Sequence, residues 1–225
     1  MSFIQTTRHH EAHGDVADLY RRLQGQRDYL PTDARIYCHR PAVMAPLAAL
    51  QETLKRHMPS RLWALVSLAA AREIRSSYCS LAFARRLLKA HFSEAGLLAI
   101  LNGQSDAPIS DSERAAMALA AKVARDATAV SQHDRDRLRC AGFTDAGIFD
   151  VVAAAAWRCF FAKVPDALGT LPDSALTRLE LPLLHCLVVG RSPERISTDD
   201  CGPSHPQRPA SNQAEQEETH HEHLA

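Results

Sequence analysis

Apolar residues recur along this chain at three- and four-residue intervals, the spacing that lines one face of an α-helix. From Glu11 to Gln24, Val16, Leu19, Tyr20 and Leu23 share such a face, and Gly25 follows as a stop. Pro31 and Pro41 bracket a stretch that reads as extended or turning. Pro41 to Arg56 repeats the helical pattern through Val43, Leu47, Leu50 and Leu54, with Pro46 inside it near the start. Ser60 caps a helix to about Arg75, and Ser76 caps another to about His91. Ser93-Glu94 opens a short helix ending near Asn102-Gly103. Ser110-Asp111-Ser112-Glu113 is a capping box before an alanine-rich helix, and Ser131-Gln132-His133-Asp134 is a weaker version of it. Thr144 caps the most apolar helix, Asp145 to Ala162, which Pro165 is expected to end. A further helical segment is expected between Leu171 and Val189.

The pattern predicts an all-α fold, with no strand, internal repeat or Gly-rich phosphate loop. From Arg191 the composition turns to Ser, Pro, Asp, Glu, Gln and His, which reads as a disordered tail. Its His220, His221 and His223 lack a rigid scaffold for metal binding. The chain has 225 residues, 46% of them hydrophobic, enough to build a core. Its 26 basic and 26 acidic residues cancel, which argues against a nucleic-acid or membrane partner. No apolar run reaches the roughly 18 residues of a membrane span, and Met1 to Gln5 shows no leader pattern, so a soluble cytoplasmic protein is expected. The six cysteines form no C-x-x-C pair and read as free thiols. His9, His10 and His13 have no fourth ligand nearby, so neither a metal nor a cofactor is expected.

The chemistry centres on Ser76-Ser77-Tyr78-Cys79-Ser80-Leu81-Ala82-Phe83, where one helix stops and the next begins. A cap at Ser76 puts Cys79 at the third helical position, among unpaired backbone amides that favour a thiolate. The alternative is that Cys79 is a small buried hydrophobe.

Two blocks carry a family resemblance. Arg61-Leu62-Trp63-Ala64-Leu65-Val66 through Tyr78-Cys79 is one. The other runs from Ser112-Glu113-Arg114-Ala115-Ala116 through Leu138-Arg139-Cys140-Ala141-Gly142-Phe143-Thr144-Asp145 to Ile148-Phe149-Asp150. In this order they resemble the carboxymuconolactone decarboxylase and alkylhydroperoxidase D (AhpD-like) family of all-helical oxidoreductases. The resemblance implies an N-terminal helical extension (1–58), an AhpD-like core (59–170), a packing segment (171–190) and the tail (191–225). It also implies a homo-oligomer with peroxidase-type antioxidant activity, acting on an organic hydroperoxide or other small molecule with an external thiol reductant. Peroxidase members use a glutamate, two cysteines and a histidine. Matched without gaps, those positions hold Ala64, Ser76, Cys79 and Phe83. The second cysteine, which attacks peroxide in such enzymes, is the one retained.

Phenylalanine cannot take a proton from sulfur, and alanine cannot orient a base. An unassisted thiol of pKa about 8.5 is only about 3% thiolate at pH 7, and the helix N-terminus would raise that to roughly 15%. Ser76 cannot form a disulfide, which leaves Cys38 and Cys159 as internal thiols to consider for resolving a Cys79 sulfenate. Glu73, His57 and His91 are candidate substitutes for the missing relay. Arg72, Arg75, Arg85 and Arg86 are candidate cations near the thiol, although a solvent-facing rim is the plainer reading, while Tyr78 and Trp63 read as core or interface aromatics. The expected activity is therefore weak, one-cysteine hydroperoxide reduction at Cys79. The alternatives are a non-catalytic helical oligomer that binds a ligand or partner and, ranked lower, a cofactor-free lactone decarboxylase.

Overall fold

The computed structural model describes residues 2–25 and 29–193. Residues 194–225 lie outside these, so the expected disordered tail from 194 onward, its three histidines included, lies beyond the described residues. The described residues hold ten α-helices and no strand. They are α1 (Gly14–Gln24), α2 (Thr32–Arg35), α3 (Met44–Lys55), α4 (Ser60–Glu73), α5 (Ser77–Ala90), α6 (Glu94–Leu101), α7 (Asp111–Arg125), α8 (Gln132–Cys140), α9 (Asp145–Ala167) and α10 (Leu181–Leu187). None is long and apolar enough to cross a membrane.

Helix α4 is the hub, packed against α5, α7 and α9. Trp63, Leu65, Val66 and Leu68 are at most 2% exposed, and Ala64, Ala70 and Ala71 let the neighbouring helices approach closely. Each large side chain buried in this way contributes about 1.5–3 kcal/mol. A second cluster joins Leu19 and Tyr20 of α1 to Leu30, Ala34, Ile36 and Tyr37.

The capping box at Ser110 forms as expected: its hydroxyl accepts from the Glu113 amide, and the Glu113 carboxylate accepts from the Ser110 amide. The same carboxylate takes a forked pair of bonds from Arg61 at 2.6 and 3.0 Å, fastening α7 to α4. Arg139 and Asp145 make a similar contact at 2.6 Å between α8 and α9. Two pairs of charged residues from the resembling blocks, Arg61 with Glu113 and Arg139 with Asp145, thus hold helices together.

Two expectations need correction, at Ser60 and Pro165. Ser60 does not cap α4: it is the first residue of that helix, Pro59 stands at the cap, and no side chain bonds there. Pro165 does not end α9, which continues to Ala167. A proline so near a helix end removes only one backbone hydrogen bond, and its ring here is buried. The stretch between Pro31 and Pro41 takes the turning alternative, not the extended one. It forms α2 and then a 3-10 turn, Ile36–His39. The cause lies far off in sequence: the Asp173 carboxylate accepts from the Thr32 amide at 3.0 Å, and Thr32 Oγ1 donates to the Leu171 carbonyl at 2.7 Å. These bonds satisfy groups at a helix start that Pro31 cannot cap.

The joint between α4 and α5 is tightly fixed. Arg75 takes a left-handed conformation (φ 59°), and the Ser76 amide donates back to the Ala71 carbonyl at 2.9 Å, reversing the chain. From the far end of the protein, Gly190 N–H donates to Ser77 Oγ at 2.8 Å, while Arg75 Nε donates to the Val189 carbonyl at 3.0 Å. A β-carbon on Gly190 would overlap the Arg75 carbonyl oxygen, so this strap requires glycine.

Candidate functional site

Ser76 caps α5 as its sequence predicts, its hydroxyl accepting from the Cys79 amide at 3.5 Å. Cys79 falls at the third helical position and is 3% exposed, packed on Ala71 and Ala162. It lines a cavity of about 830 Å³ whose walls come from α2, α3, α5, α9 and the segment before α10. Tyr37, Phe83, Trp157 and Phe161 supply aromatic surface, and Met44 and Leu47 aliphatic surface.

The group that meets the sulfur is Arg158, from the middle of α9. Its Nη1 donates to Cys79 Sγ at 3.7 Å, and the residue is only 3% exposed. The guanidinium lies 4.3 Å above the Phe83 ring centre and 5.5 Å from that of Phe161. Phe83 therefore serves the site as a shelf on which a cation rests. Ala64 is buried in the main core and does not line the cavity.

Burial is the largest influence on the Cys79 thiol and pushes its pKa up. Arg158 and the Ser76 hydroxyl act in the opposite direction without prevailing, and Asp33 adds to the rise. This desolvation outweighs the thiolate enrichment expected from the helix start and accords with the alternative reading of Cys79 as a buried residue. Burial thus favours the thiol over the thiolate.

Tyr37 stands in the same cavity with its hydroxyl buried and without a hydrogen-bond partner. Burial, then the charges of Asp33 and Cys79, push its pKa up to about 12. Tyr78 is not simply a core aromatic: its hydroxyl lies 2.7 Å from Asp173 Oδ2 and 2.9 Å from Asp33 Oδ1. That contact anchors α5 to α2 and to the segment preceding α10. Gln51 of α3 accepts from Trp157 Nε1 at 3.3 Å.

The proposed substitutes for the missing relay are elsewhere. Glu73 takes 2.6 and 3.0 Å bonds from Arg125, which hold its carboxyl below the usual range, and neither it, His57 nor His91 lines the cavity. Cys38 accepts from the Thr7 amide at 3.5 Å in the N-terminal cluster. Cys159 is half-buried with its pKa raised by burial, and neither of these cysteines lines the cavity. Of the four arginines flanking the stretch, Arg85 and Arg86 reach the cavity, whereas Arg72 donates to the Leu101 carbonyl and Arg75 belongs to the strap. Among the described residues no three His, Cys, Asp or Glu side chains converge as metal ligands.

No family model and no curated protein matches this sequence. Solved structures do. An alkylhydroperoxidase AhpD core, a peroxidase-related protein from Ralstonia eutropha, superposes with a TM-score of 0.68 at 19% identity, over 78% of this chain and 94% of that one. The chain has the AhpD-like fold. A second peroxidase-related protein, from Silicibacter sp., gives a TM-score of 0.62 at 17% identity, over 72% and 87% of the two chains. The debrominase Bmp8, solved with 2,3,4-tribromopyrrole, gives 0.60 at 17% identity, over 71% and 86%. At these identities the likeness establishes the AhpD-like architecture, and the chemistry has to be argued from this chain's own cavity.

Proposed function

We propose that this AhpD-like protein is a thiol-dependent oxidoreductase that reduces organic hydroperoxides slowly at Cys79. The observation carrying this reading is the contact between a buried guanidinium and the cysteine sulfur at the wall of a large cavity. Sulfur attacks the outer peroxide oxygen, forming an S–O bond as the O–O bond breaks. The thiol proton ends on the leaving oxygen, so Cys79–SH and ROOH give Cys79–SOH and ROH. An external dithiol then reduces the sulfenic acid, releasing water and a disulfide. Arg158 stabilises negative charge as it develops on sulfur and on the peroxide oxygens. Slow turnover follows from the burial that disfavours the thiolate, since thiolate is the nucleophile. A debrominase and peroxidase-related proteins share this fold, and the cavity is far larger than hydrogen peroxide needs.

The reading is tested by following cumene hydroperoxide consumption with dithiothreitol as reductant. Wild type is expected to exceed Cys79→Ser by at least tenfold, and equal rates would remove the proposal. A second reading, a ligand-binding protein without chemistry, draws on the burial of the Cys79 thiol. It predicts that both proteins bind ligand and neither turns over peroxide.

A further inference from the structure

Three residues of α9 at four-residue steps, Arg158, Ala162 and Asp166, share the face that meets the start of α5. Arg158 Nη1 lies 3.7 Å from Cys79 Sγ, and Ala162 packs on Cys79. One turn further on, the Asp166 carboxyl hydrogen-bonds the Ser76 side chain, which also hydrogen-bonds that of Cys79. The peroxide chemistry at Cys79 has given this half-buried carboxyl no part.

The inventory of donors and acceptors fixes the sense of these bonds. A carboxylate only accepts, so the Ser76 hydroxyl donates its one proton to Asp166. Its two lone pairs are left to face Cys79, where one accepts from the amide at 3.5 Å and the other is turned to the thiol. Thiol, hydroxyl and carboxylate thus stand in the order in which a proton passes from sulfur to oxygen. Burial raises the Asp166 pKa against the lowering influences of Ser76 and the Arg191 guanidinium, which makes it a better base than a carboxylate in water. The path is enclosed. Ser76 is fully buried, neither it nor Asp166 lines the cavity, and Arg191 Nε donates to the Asp166 carbonyl at 3.3 Å from the outer side.

We propose that Asp166 is a positioning residue for the reaction at Cys79, accepting the thiol proton by way of Ser76 as the sulfur attacks. The S–H bond breaks as the Ser76 oxygen gains that proton, and the proton Ser76 held passes to the Asp166 carboxylate. Asp166 keeps it while the S–O bond forms and the O–O bond breaks. It then returns by the same path and the alkoxide leaves as the alcohol, so the overall exchange of Cys79–SH and ROOH for Cys79–SOH and ROH is unaltered. The base that Phe83 and Ala64 cannot supply comes from α9. The inference rests on the reading of Cys79 as the reacting thiol and adds the route its proton takes.

Iodoacetamide addition at Cys79, timed by peptide mass spectrometry between about pH 7.5 and 5.5, reads removal of the thiol proton whether or not peroxide is a substrate. A thiol reacting only as free thiolate slows about tenfold for each unit of pH below its pKa, about a hundredfold across this range. With a base in reach, wild type is expected to slow by less than about tenfold. Asp166→Asn and Ser76→Ala should each restore the hundredfold fall. Arg158 and Asp33 face Cys79, and Arg191 faces Asp166; all three are common to wild type and both variants, so the change of slope reports the path alone. A merely structural Asp166 would alter the melting temperature and leave the slope as it was. A hundredfold fall in wild type overturns the proposal, as does a shallow slope that persists in Asp166→Asn. Should Asp166→Asn fail to fold, Ser76→Ala decides: a steep slope upholds the proposal and a shallow one overturns it. A shallow wild-type slope in a protein that consumes no hydroperoxide would sink the redox reading and leave this one standing, and a Cys79 that takes no iodoacetamide at any pH would overturn both.

Discussion

At the scale of single residues, the site is a competition between burial and charge at one sulfur. Desolvation raises the Cys79 pKa, Arg158 and Ser76 lower it, and burial prevails. Alkylation by iodoacetamide, followed against pH, should therefore show a half-point above the ordinary thiol value of about 8.5. Arg158→Met removes the larger of the two opposing influences, so its half-point should lie higher still, and a downward move would contradict the account. Cys79 and Ser76 could be singled out from the sequence because capping chemistry is local. Arg158 could not be linked to them, being 79 positions from Cys79. It did leave one visible mark, as a lone arginine amid the otherwise apolar run from Val151 to Phe161. Charge stranded in an apolar helix is costly, and such a residue merits the question of what it meets.

At the scale of elements, helix periodicity and caps were legible, whereas the pieces stabilised at a distance were not. The caps at Ser76, Ser93, Ser110 and Thr144 all form. The stretch holding α2 could be read only as extended or turning, because the carboxylate that satisfies the start of its helix comes from Asp173. The resembling blocks pointed to the fold because Arg61 with Glu113, and Arg139 with Asp145, join helices, which says little about chemistry. Burial raises the Glu113 carboxyl, but bonds from Arg61 and Ser110 outweigh it and leave the pKa lowered. A carboxyl lowered on folding stabilises the protein above its unfolded value, about 4.3, and that contribution fades as pH falls through the folded value. Glu113→Gln should flatten the acid limb of a stability–pH curve, and an unchanged limb would count against the pairing. In the strap, Gly190→Ala should lower the melting temperature by several degrees through its collision with Arg75, a change that thermal denaturation would register.

At the scale of the whole molecule, α9 presents Phe149 at 66% and Phe160 at 50% exposure. We propose that this surface contacts a second copy of the chain, in line with the oligomer the sequence suggested. Light scattering should then give a multiple of 24.8 kDa, and a monomer would refute it. The same helix turns Arg158 inward to Cys79, so one element carries both the proposed contact and the cation of the site. What ties these features into a function is whether the buried sulfur reacts. The most direct measurement is mass spectrometry of the protein treated with a single equivalent of cumene hydroperoxide in the presence of dimedone, which traps sulfenic acid. A dimedone adduct at Cys79, absent from Cys79→Ser, is the predicted result; peroxide consumed with Cys79 unmodified would contradict the account.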